Sequence, residues 1–428
     1  MTTSTDLHES SSTGHLGEPA PSGDRRLLAA DGPDLPCHAA RFGPPPRPDR
    51  PHELIGQLVE AGLRGRGGAG FPTGSKMGAV TGRRPVVIAN GAEGEPASSK
   101  DTVLLEHAPH LVLDGPALAA AAVGAREAHL YTSADVMPAV RRAVAERRAA
   151  GWDRLPVKLT EAPDTFIAGE KSAVVNAIEG RPAIPRDHLT SLTRSGLRGR
   201  PTLVHNVETL AHVALIARYG PNWFRGVGNQ AEPGTMLVTL SCTAAPGVVE
   251  VPTGTALTRL LRDHTGIDPA DVRALLLGGY HGTWITGTDA AHAELSRESL
   301  SPLGSTPGAG VVQVLRSGEC GLRRSADIVA YLADQSARQC GPCLNGLPAL
   351  ANILTDLAYR RPGPDSAREI TRLTALVDRR GACNHPDGTA RFLRSTMLAF
   401  CRDVELHLRG TCEIAFPERE PRNPVALP

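Results

Sequence analysis

The sequence predicts an α/β fold in three parts: a layered α/β domain, a compact module of strands with one helix, and a carboxyl-terminal helical bundle. Short apolar runs alternate with helical patterns in the first half of the chain, which is typical of an α/β layer. A hairpin pattern follows near residue 240, and the last hundred or so residues carry helical periodicity. The length of 428 residues corresponds to about three domains.

Local patterns define the elements of the α/β part in order. Residues 52–63 place apolar side chains three and four apart and predict a helix. The apolar run at 85–90 ends in a polar turn and predicts a buried strand, and 129–131 predicts a second one. Helices are predicted at 117–123 and at 138–150, where a proline is tolerated in the first turn.

The later elements follow from the same rules. Strands are predicted at 236–240 and 247–251 as a hairpin, then a short helix at 256–264 and a strand at 274–279. Beyond a loop rich in Gly, Pro and Ser, four helical segments predict a small bundle. These segments are 325–335, 346–358, 367–379 and 389–409.

Changes in composition suggest the domain boundaries. Residues 1–50 are rich in Ser, Pro, Gly and Asp and predict a disordered tail. The α/β domain is expected over 51–230, the strand-rich module over 231–305 and the bundle over 318–415.

Composition and charge exclude several broad classes of function. Lys and Arg number 46 against 45 Asp and Glu, so no global charge draws the chain to nucleic acid or to an anionic membrane. No run of about 18 apolar residues is present, and we expect no membrane insertion. The first residues do not form a secretory signal, so a cytoplasmic location is expected. Eight Cys in such a chain indicate metal or redox chemistry.

The segment 62–76 (GLRGRGGAGFPTGSK) is the most informative one. Its glycines allow the backbone to approach a ligand closely and present N–H groups to phosphate. Arg66 and Lys76 add positive charge, and Phe71 offers a ring for stacking. The loop follows a helix, unlike the Rossmann fingerprint, and its spacing differs from a Walker A loop. It predicts a phosphate site for a nucleotide or a flavin; the alternative is a Gly-rich surface loop.

This loop resembles the FMN-binding loop of the NADH-oxidising flavoprotein subunit of respiratory complex I, a subunit type shared with NAD-linked hydrogenases and formate dehydrogenases. Further segments resemble the same family in the same order, over about residues 51–415. They are 90–96 (NGAEGEP), 166–171 (FIAGEK), 179–181 (EGR) with 185–186 (PR), 199–209 (GRPTLVHNVET) and 339–343 (QCGPC).

The resemblance implies a Rossmann-like FMN domain, a β-grasp (SLBB-like) module and a four-helix bundle that holds a 4Fe-4S cluster. It implies a flavoprotein oxidoreductase that moves electrons from a two-electron donor such as NADH, through FMN, to a ferredoxin-like or thioredoxin-like iron–sulfur partner. It assigns Phe71 and Glu95 to NADH, and Cys340, Cys343 and Cys383 to the cluster. The FMN site that it implies consists of Gly65, Arg66, Gly67, Lys76, Asn90, Glu93, Gly169, Glu170, Asn206 and Thr209.

The nicotinamide side departs from the family. Ala92 replaces an Asp, Lys171 a Glu and Phe166 a Tyr. Losing a stacked ring or a carboxylate costs on the order of 1–3 kcal/mol. Three interpretations stay open: NADH oxidation, a different two-electron donor, and a degenerate non-catalytic paralogue acting in ligand binding or assembly. Further departures stand at Ala79, His188 and Ser191.

The cysteine motif also departs from the family, because Ala337 replaces its first ligand. Three thiolates would then serve a cluster that normally takes four. Candidates for the fourth ligand are water, an external ligand, Ser336 and His385, and a three-iron cluster is an alternative. Two other interpretations are a thioredoxin-type dithiol at 340–343 and a Cys3His zinc site that includes His385. The other cysteines are expected to be inert: Cys37, Cys242, Cys320, Cys401 and Cys412.

Overall fold

The computed structural model describes residues 25–47, 50–187, 190–241 and 247–414. Its first part holds a four-stranded parallel sheet in the order β3-β2-β1-β4. The strands are β1 (Val86–Gly91), β2 (Ala128–Ser133), β3 (Val157–Ala162) and β4 (Thr202–Asn206). The helices are α1 (Leu35–Phe42), α2 (Glu53–Ala61), α3 (Thr73–Gly78), α4 (Lys100–His107), α5 (Pro109–Val123), α6 (Met137–Ala149), α7 (Lys171–Ile178) and α8 (Val207–Arg225).

The two central strands of this sheet bring polar residues to one edge. The predicted strand at 85–90 is confirmed as β1, whose first four residues are buried. Strands β1 and β4 run in parallel, and their register pairs Asn90 with Asn206 at the carboxyl ends. In open parallel sheets, ligands bind outside the carboxyl ends of the strands. The sheet therefore positions a site at Asn90 and Asn206.

Residues 25–47 pack against later parts of the chain, so the prediction of a disordered tail over 1–50 is wrong for this segment. Leu27 is fully buried, and its backbone N–H donates to the Glu250 carboxylate at 2.9 Å. Helix α1 begins after Asp34, whose side chain accepts the Cys37 N–H. The polar composition of the segment concealed a few apolar residues whose partners lie far along the chain. The remainder of the predicted tail, 1–24 and 48–49, lies outside the described residues.

A second, mixed sheet of five strands has the order β6-β5-β9-β7-β8. Strands β5 and β9 pair in parallel, and the other pairs are antiparallel. The strands are β5 (Thr235–Ser241), β6 (Gly247–Pro252), β7 (Val272–Leu277), β8 (Thr283–Thr286) and β9 (Val311–Arg316). The helices are α9 (Leu257–Thr265), which packs on the sheet, and the short α10 (Gly287–Ala290) and α11 (Arg297–Leu300).

The predicted end of this module at residue 305 is wrong, because β9 lies beyond it. Strand β9 forms the middle of the sheet between β5 and β7. Its four central residues are buried. The sheet therefore runs from residue 235 to residue 316.

The last part is helical and shares one apolar core. Its first helix joins the second sheet through Ser325, which accepts the indole N–H of Trp284 at 3.0 Å. The predicted helix over 389–409 is two helices that meet at Phe400. Within the described part of the chain, no helix combines the length and apolar character needed to cross a bilayer. The helices are α12 (Gly321–Asp334), α13 (Leu347–Ala358), α14 (Ser366–Val377), α15 (His385–Ala399) and α16 (Cys401–Leu408), with a short helical turn at Pro342–Gly346.

Candidate functional site

A cavity of about 660 Å³ lies where the three parts of the chain meet. The glycine loop forms one wall with residues 67–69, and the carboxyl ends of β1 and β4 contribute Asn90 and Asn206. The second sheet contributes Gly278, and the helical part contributes 383–385. This volume is within the range of cofactor and small-molecule sites.

The glycine loop is a tight turn that approaches β4 closely. The Gly65 N–H donates to the Phe71 carbonyl at 2.9 Å and closes the loop. Gly68 has a φ of 101°, a conformation that side chains other than glycine rarely adopt. A Cβ atom at Gly67 would lie 3.1 Å from the Cβ of Asn206. Glycine at position 67 thus lets the loop backbone form the cavity wall.

Six of the ten predicted FMN residues line this cavity, and these six are up to 139 positions apart in the chain, from 67 to 206. Asn90 donates to the Gly169 carbonyl at 2.9 Å and so joins two of these segments. The six residues are Gly67, Asn90, Glu93, Gly169, Glu170 and Asn206.

The other four predicted FMN residues do not line the cavity. Arg66 is buried, and its guanidinium donates to the Pro233 carbonyl, while its backbone N–H donates to the Thr209 hydroxyl at 2.8 Å. Gly65 and Arg66 line a neighbouring small pocket instead. Lys76 donates to the Val204 carbonyl, and burial, together with the charge of Lys171, lowers the pKa of Lys76 to about 8. These residues fix the loop and β4 behind the cavity wall.

The two acidic residues of the predicted FMN site each occupy a helix N-terminus. Glu93 accepts the N–H groups of Asp101 at 3.1 Å and Thr102 at 2.9 Å, in the first turn of α4. Glu170 accepts the Ser172 N–H at 2.7 Å and caps α7. Carboxylates are favourable at these helix ends. Both side chains are thus held rigidly where they face the cavity.

A buried polar network beneath the cavity was missed by the sequence analysis. The Lys100 ammonium lies 2.6 Å from the Asp101 carboxylate and 2.9 Å from that of Glu208. Asn206 donates to Asp101 at 2.6 Å. Burial opposes the charge on Lys100, but the two carboxylates raise the pKa of Lys100 above its usual value, and burial raises the pKa of Asp101 to about 7.

One signal could have found this network. Lys100 is one of only four Lys among 46 basic residues, so it stands out in a chain that otherwise uses Arg.

Arg297 was missed as well, and no sequence signal marked it. Its guanidinium lines the cavity and donates to the Gly68 carbonyl at 3.2 Å. In the described part of the chain, three Lys and Arg side chains therefore border the cavity: Lys100, Arg297 and Arg391.

The residues assigned to NADH fall in different places. Glu95 lines the cavity and accepts the Tyr280 N–H at 2.7 Å, and burial raises the pKa of Glu95 to about 7. Phe71 does not line the cavity, and 55% of its surface is exposed. Of the departures from the family, Ala92 and Phe166 line the cavity, while Lys171 is exposed. Ala79 and Ser191 are also exposed, and His188 lies outside the described residues.

Glu95→Gln should change how stability depends on pH. The folded chain keeps the Glu95 proton up to a pKa of about 7, whereas the unfolded chain releases it near 4.5. The unfolded state then binds fewer protons, so the free energy of unfolding of the wild type should fall between these pH values. Relative to Glu95→Gln, the wild type should lose stability across this window in urea titrations. A constant difference from pH 4.5 to pH 7 would contradict this.

The three predicted cluster cysteines lie near one another, since Cys340 and Cys383 both act on the Cys343 thiol. Cys343 and Cys383 are buried, and Cys340 is half-buried. Two effects raise the pKa of Cys343 to about 12: burial, which is the larger, and the neighbouring Cys340. A reactive dithiol requires a lowered pKa and a motif that follows a strand, so the thioredoxin-type alternative fits poorly. Cys343 lies instead in the helical turn after α12.

The zinc alternative also fits poorly. Among the Cys, His, Asp and Glu residues that the structure describes, one group of three has ligand atoms close enough together to hold a single ion. Cys340, Cys343 and Cys383 do not belong to it. His385 donates from Nε2 to the Leu332 carbonyl at 2.8 Å. Its Nδ1 and the hydroxyl of Ser336 are buried without a hydrogen-bond partner. No hydrogen bond therefore occupies either of these two candidate ligand atoms.

Cys383 connects the cluster cysteines to the cavity. It lines the same cavity as Gly67 and Asn206. The charge of Glu170 contributes to the raised pKa of Cys383, after the larger effect of burial. A cofactor in the cavity and a cluster on Cys383 would therefore share a wall.

The comparisons with known proteins agree with this arrangement. The family described as the Nuo51 FMN-binding domain matches residues 58–215, and the NADH-ubiquinone oxidoreductase-F iron-sulfur binding region matches 323–407. A NADH-quinone oxidoreductase F subunit of Rhizobium meliloti (strain 1021) is 31% identical over 376 residues, covering 84% of this chain and 89% of that protein. The F subunit of the NADH-quinone oxidoreductase of Escherichia coli (strain K12) is 29% identical over 381 residues, covering 84% and 85%.

A solved structure is also similar. An NAD+-reducing [NiFe]-hydrogenase in the H2-reduced state superposes with a TM-score of 0.76 at 28% identity, over 84% of this chain. The match covers 63% of that hydrogenase chain, which is less than two thirds of its length.

The chain belongs to the family of F-type flavoprotein subunits of NADH-quinone oxidoreductases. The resemblance found in the sequence is thus confirmed. So are the predicted class, an electron-transfer flavoprotein of the oxidoreductases, and its two cofactors, FMN and an iron–sulfur cluster.

Proposed function

We propose that this chain is the flavoprotein subunit of a larger oxidoreductase that moves electrons from NADH, through FMN in the central cavity, to an iron–sulfur partner. The observation that carries the proposal is the common wall: Gly67, Asn206 and Cys383 line one cavity. Electron transfer from a flavin to a cluster requires the two groups to be close.

The residues of the cavity fit FMN. A cradle at Gly67, which a side chain would fill, lies beside the amide groups of Asn90 and Asn206. Glu93, Gly169 and Glu170 complete the proposed binding site. FMN, when bound, supplies the exchange between a two-electron donor and one-electron acceptors.

The remaining residues of the predicted FMN site take a supporting role in this proposal. Thr209 and Arg66 hold the glycine loop through a hydrogen bond of 2.8 Å, and Lys76 ties α3 to β4. The Lys100 ammonium lies 3.3 Å from the Asn206 amide oxygen and orients that side chain. Because Asp101 and Glu208 compensate its charge, Lys100 acts on the cavity by holding Asn206 rather than by attracting an anion.

We also propose that the three parts are an FMN domain, a β-grasp (SLBB-like) module and a four-helix bundle. The strand order supports the β-grasp module. If β5 to β9 are renumbered 1 to 5, the order is 2-1-5-3-4, and strands 1 and 5 pair in parallel. The common core of α12 to α15 supports the third. The module then ends near residue 316 rather than 305.

We propose a ferredoxin-like or thioredoxin-like iron–sulfur protein as the electron acceptor, in the cytoplasm, where NADH is formed. Leu344 supports a docking position at the cluster. It follows Cys343, and 57% of its surface is exposed. An exposed apolar side chain beside a redox centre is suited to a partner surface.

A different two-electron donor is the second candidate. Ala92 and Phe166 stand at the cavity wall in place of a carboxylate and a phenol. These two replacements leave the wall less polar than the family pattern implies, and the Phe166 ring packs edge-on against His281 with 4.7 Å between the ring centroids. A less polar donor would suit it.

Reduction under anaerobic conditions tests the proposal. NADH should bleach the flavin absorption of the purified protein as completely as dithionite does. Dithionite provides the control, since it needs no binding site. Bleaching by dithionite but not by NADH would contradict NADH as donor and favour the second candidate. Failure of both reagents would contradict electron transfer altogether.

Ala337→Cys should raise the iron content towards four per chain, because it restores the missing thiolate. The Ala337 backbone already donates to the Cys343 sulfur, so a side chain at 337 stands beside the cluster ligands. Iron and acid-labile sulfide report the result. Cys401→Ser, at an exposed position, is the control. An unchanged iron content would mean that the ligand at 337 does not limit the cluster.

A further inference from the structure

We propose that Cys320, His407 and Cys412 form a zinc site that is separate from the iron–sulfur cluster and fastens the segment after α16 to the start of α12. Their ligand atoms all lie within 4.8 Å of one another. Two thiolates and one imidazole are a ligand set that Zn²⁺ uses, with water as the fourth ligand. The family matches give no role to these residues, and the proposal does not depend on the proposed function.

The distance between the first two ligands fits zinc. The Cys320 sulfur lies 3.6 Å from His407 Nε2. Bonds of about 2.3 Å to sulfur and about 2.0 Å to nitrogen at a tetrahedral angle place these atoms about 3.5 Å apart. The structure therefore already holds the two ligands at the edge length of a tetrahedral site.

The imidazole is oriented for coordination. His407 is fully buried, and its Nδ1 donates to the Leu357 carbonyl at 3.0 Å. That bond places the proton on Nδ1 and leaves the lone pair of Nε2 facing Cys320. A metal-binding His almost always donates its other N–H group in this way.

The third ligand is held in place by its neighbours. The Thr411 N–H donates to the Leu406 carbonyl at 2.9 Å, so the chain turns back on α16 directly before Cys412. Beyond it, Glu413 pairs with Arg402 at 2.6 Å. Cys320 is buried and directly precedes α12, whereas Cys412 is half-buried. Zinc would thus join the start of α12 to the end of α16.

Binding requires both thiols to lose their protons to the solvent, and so Zn²⁺ exchanges for two protons with no change in oxidation state. No oxidant or reductant is needed. A Cys320–Cys412 disulfide is the competing use of the same atoms. It would release two electrons and two protons to an oxidant, which nothing in the structure provides.

Metal analysis of the full-length protein tests the site. We expect about one zinc per chain after expression in zinc-containing medium and gel filtration. Cys412→Ser should lose it, while Cys401→Ser, a cysteine exposed on α16, should keep it. Cys340→Ser should also keep it, which separates this zinc from any ion held by the cluster cysteines.

Affinity and thiol counts complete the test. Competition with a chromophoric chelator should show that Cys412→Ser lowers zinc affinity by more than about 100-fold. Mutating a residue that only hydrogen-bonds to a ligand already costs about 10–100-fold in metal affinity, so losing the ligand itself should cost more. Cys412→Ala provides a second variant, and circular dichroism and flavin content verify folding. The proposal is overturned by wild-type protein without zinc, by equal zinc in wild type and Cys412→Ser, or by a thiol count that shows Cys320 and Cys412 oxidised.

Discussion

Replacing Lys100 by Met should lower the free energy of unfolding by about 3–5 kcal/mol, because it leaves buried carboxylates without their cation. The Lys100 ammonium contacts Asp101 at 2.6 Å and Glu208 at 2.9 Å, and all three side chains are almost fully buried. Met preserves the aliphatic stem and removes only the charge. Urea titration of the flavin-free protein at pH 8, above the pKa of Asp101 of about 7, measures the effect.

The matched control is Lys158→Met. Lys158 also pairs with a carboxylate, that of Glu127 at 2.8 Å, but 62% of its side chain is exposed. An exposed pair contributes about 0–1 kcal/mol. The Lys100 variant should also lose flavin, since Asn206 loses a neighbour that orients it. If both variants unfold within about 1 kcal/mol of the wild type, the network beneath the cavity is not the support that we describe.

Replacing Cys383 by Ala should remove most of the cluster iron and leave the flavin bound. Only Cys340 and Cys343 would remain of the three thiols, and an iron–sulfur cluster normally takes four ligands. Six other residues form the proposed flavin site, so the loss of one thiol at its wall leaves that site nearly complete.

Iron, acid-labile sulfide and flavin per chain measure this effect in anaerobically purified protein. Cys401→Ala is the control, because Cys401 is exposed at the start of α16. Retention of wild-type iron in Cys383→Ala would show that the cluster is held elsewhere. Loss of both iron and flavin would show that Cys383 supports the cavity itself, contrary to the assignment.

The fold was predictable where a local pattern decides the structure. Strand β1 follows from an apolar run, and β5 and β6 follow from a hairpin pattern. Strand β9 was missed because it pairs in parallel with β5 across about seventy residues, and no local pattern encodes such a partner. Leu27 was missed for the same reason, since its partner is Glu250.

The site was predictable as a set of motifs but not as a set of side-chain directions. Gly67, Asn90 and Asn206 meet at the cavity as the motifs implied. Arg66 and Lys76 looked like phosphate ligands from their charge, yet each donates to a backbone carbonyl outside the cavity. A sequence gives the charge of a side chain, whereas tertiary packing determines where it points.

The central claim is that the cavity shared by the glycine loop and Cys383 holds FMN. Flavin content tests it most directly, measured by absorption after anaerobic purification of the wild type and of Gly67→Val. Wild-type protein should carry about one FMN per chain. The variant should carry little or none, because its side chain would crowd Asn206, which a Cβ at 67 already approaches to 3.1 Å. Colourless wild-type protein, or equal flavin in both proteins, would contradict the claim.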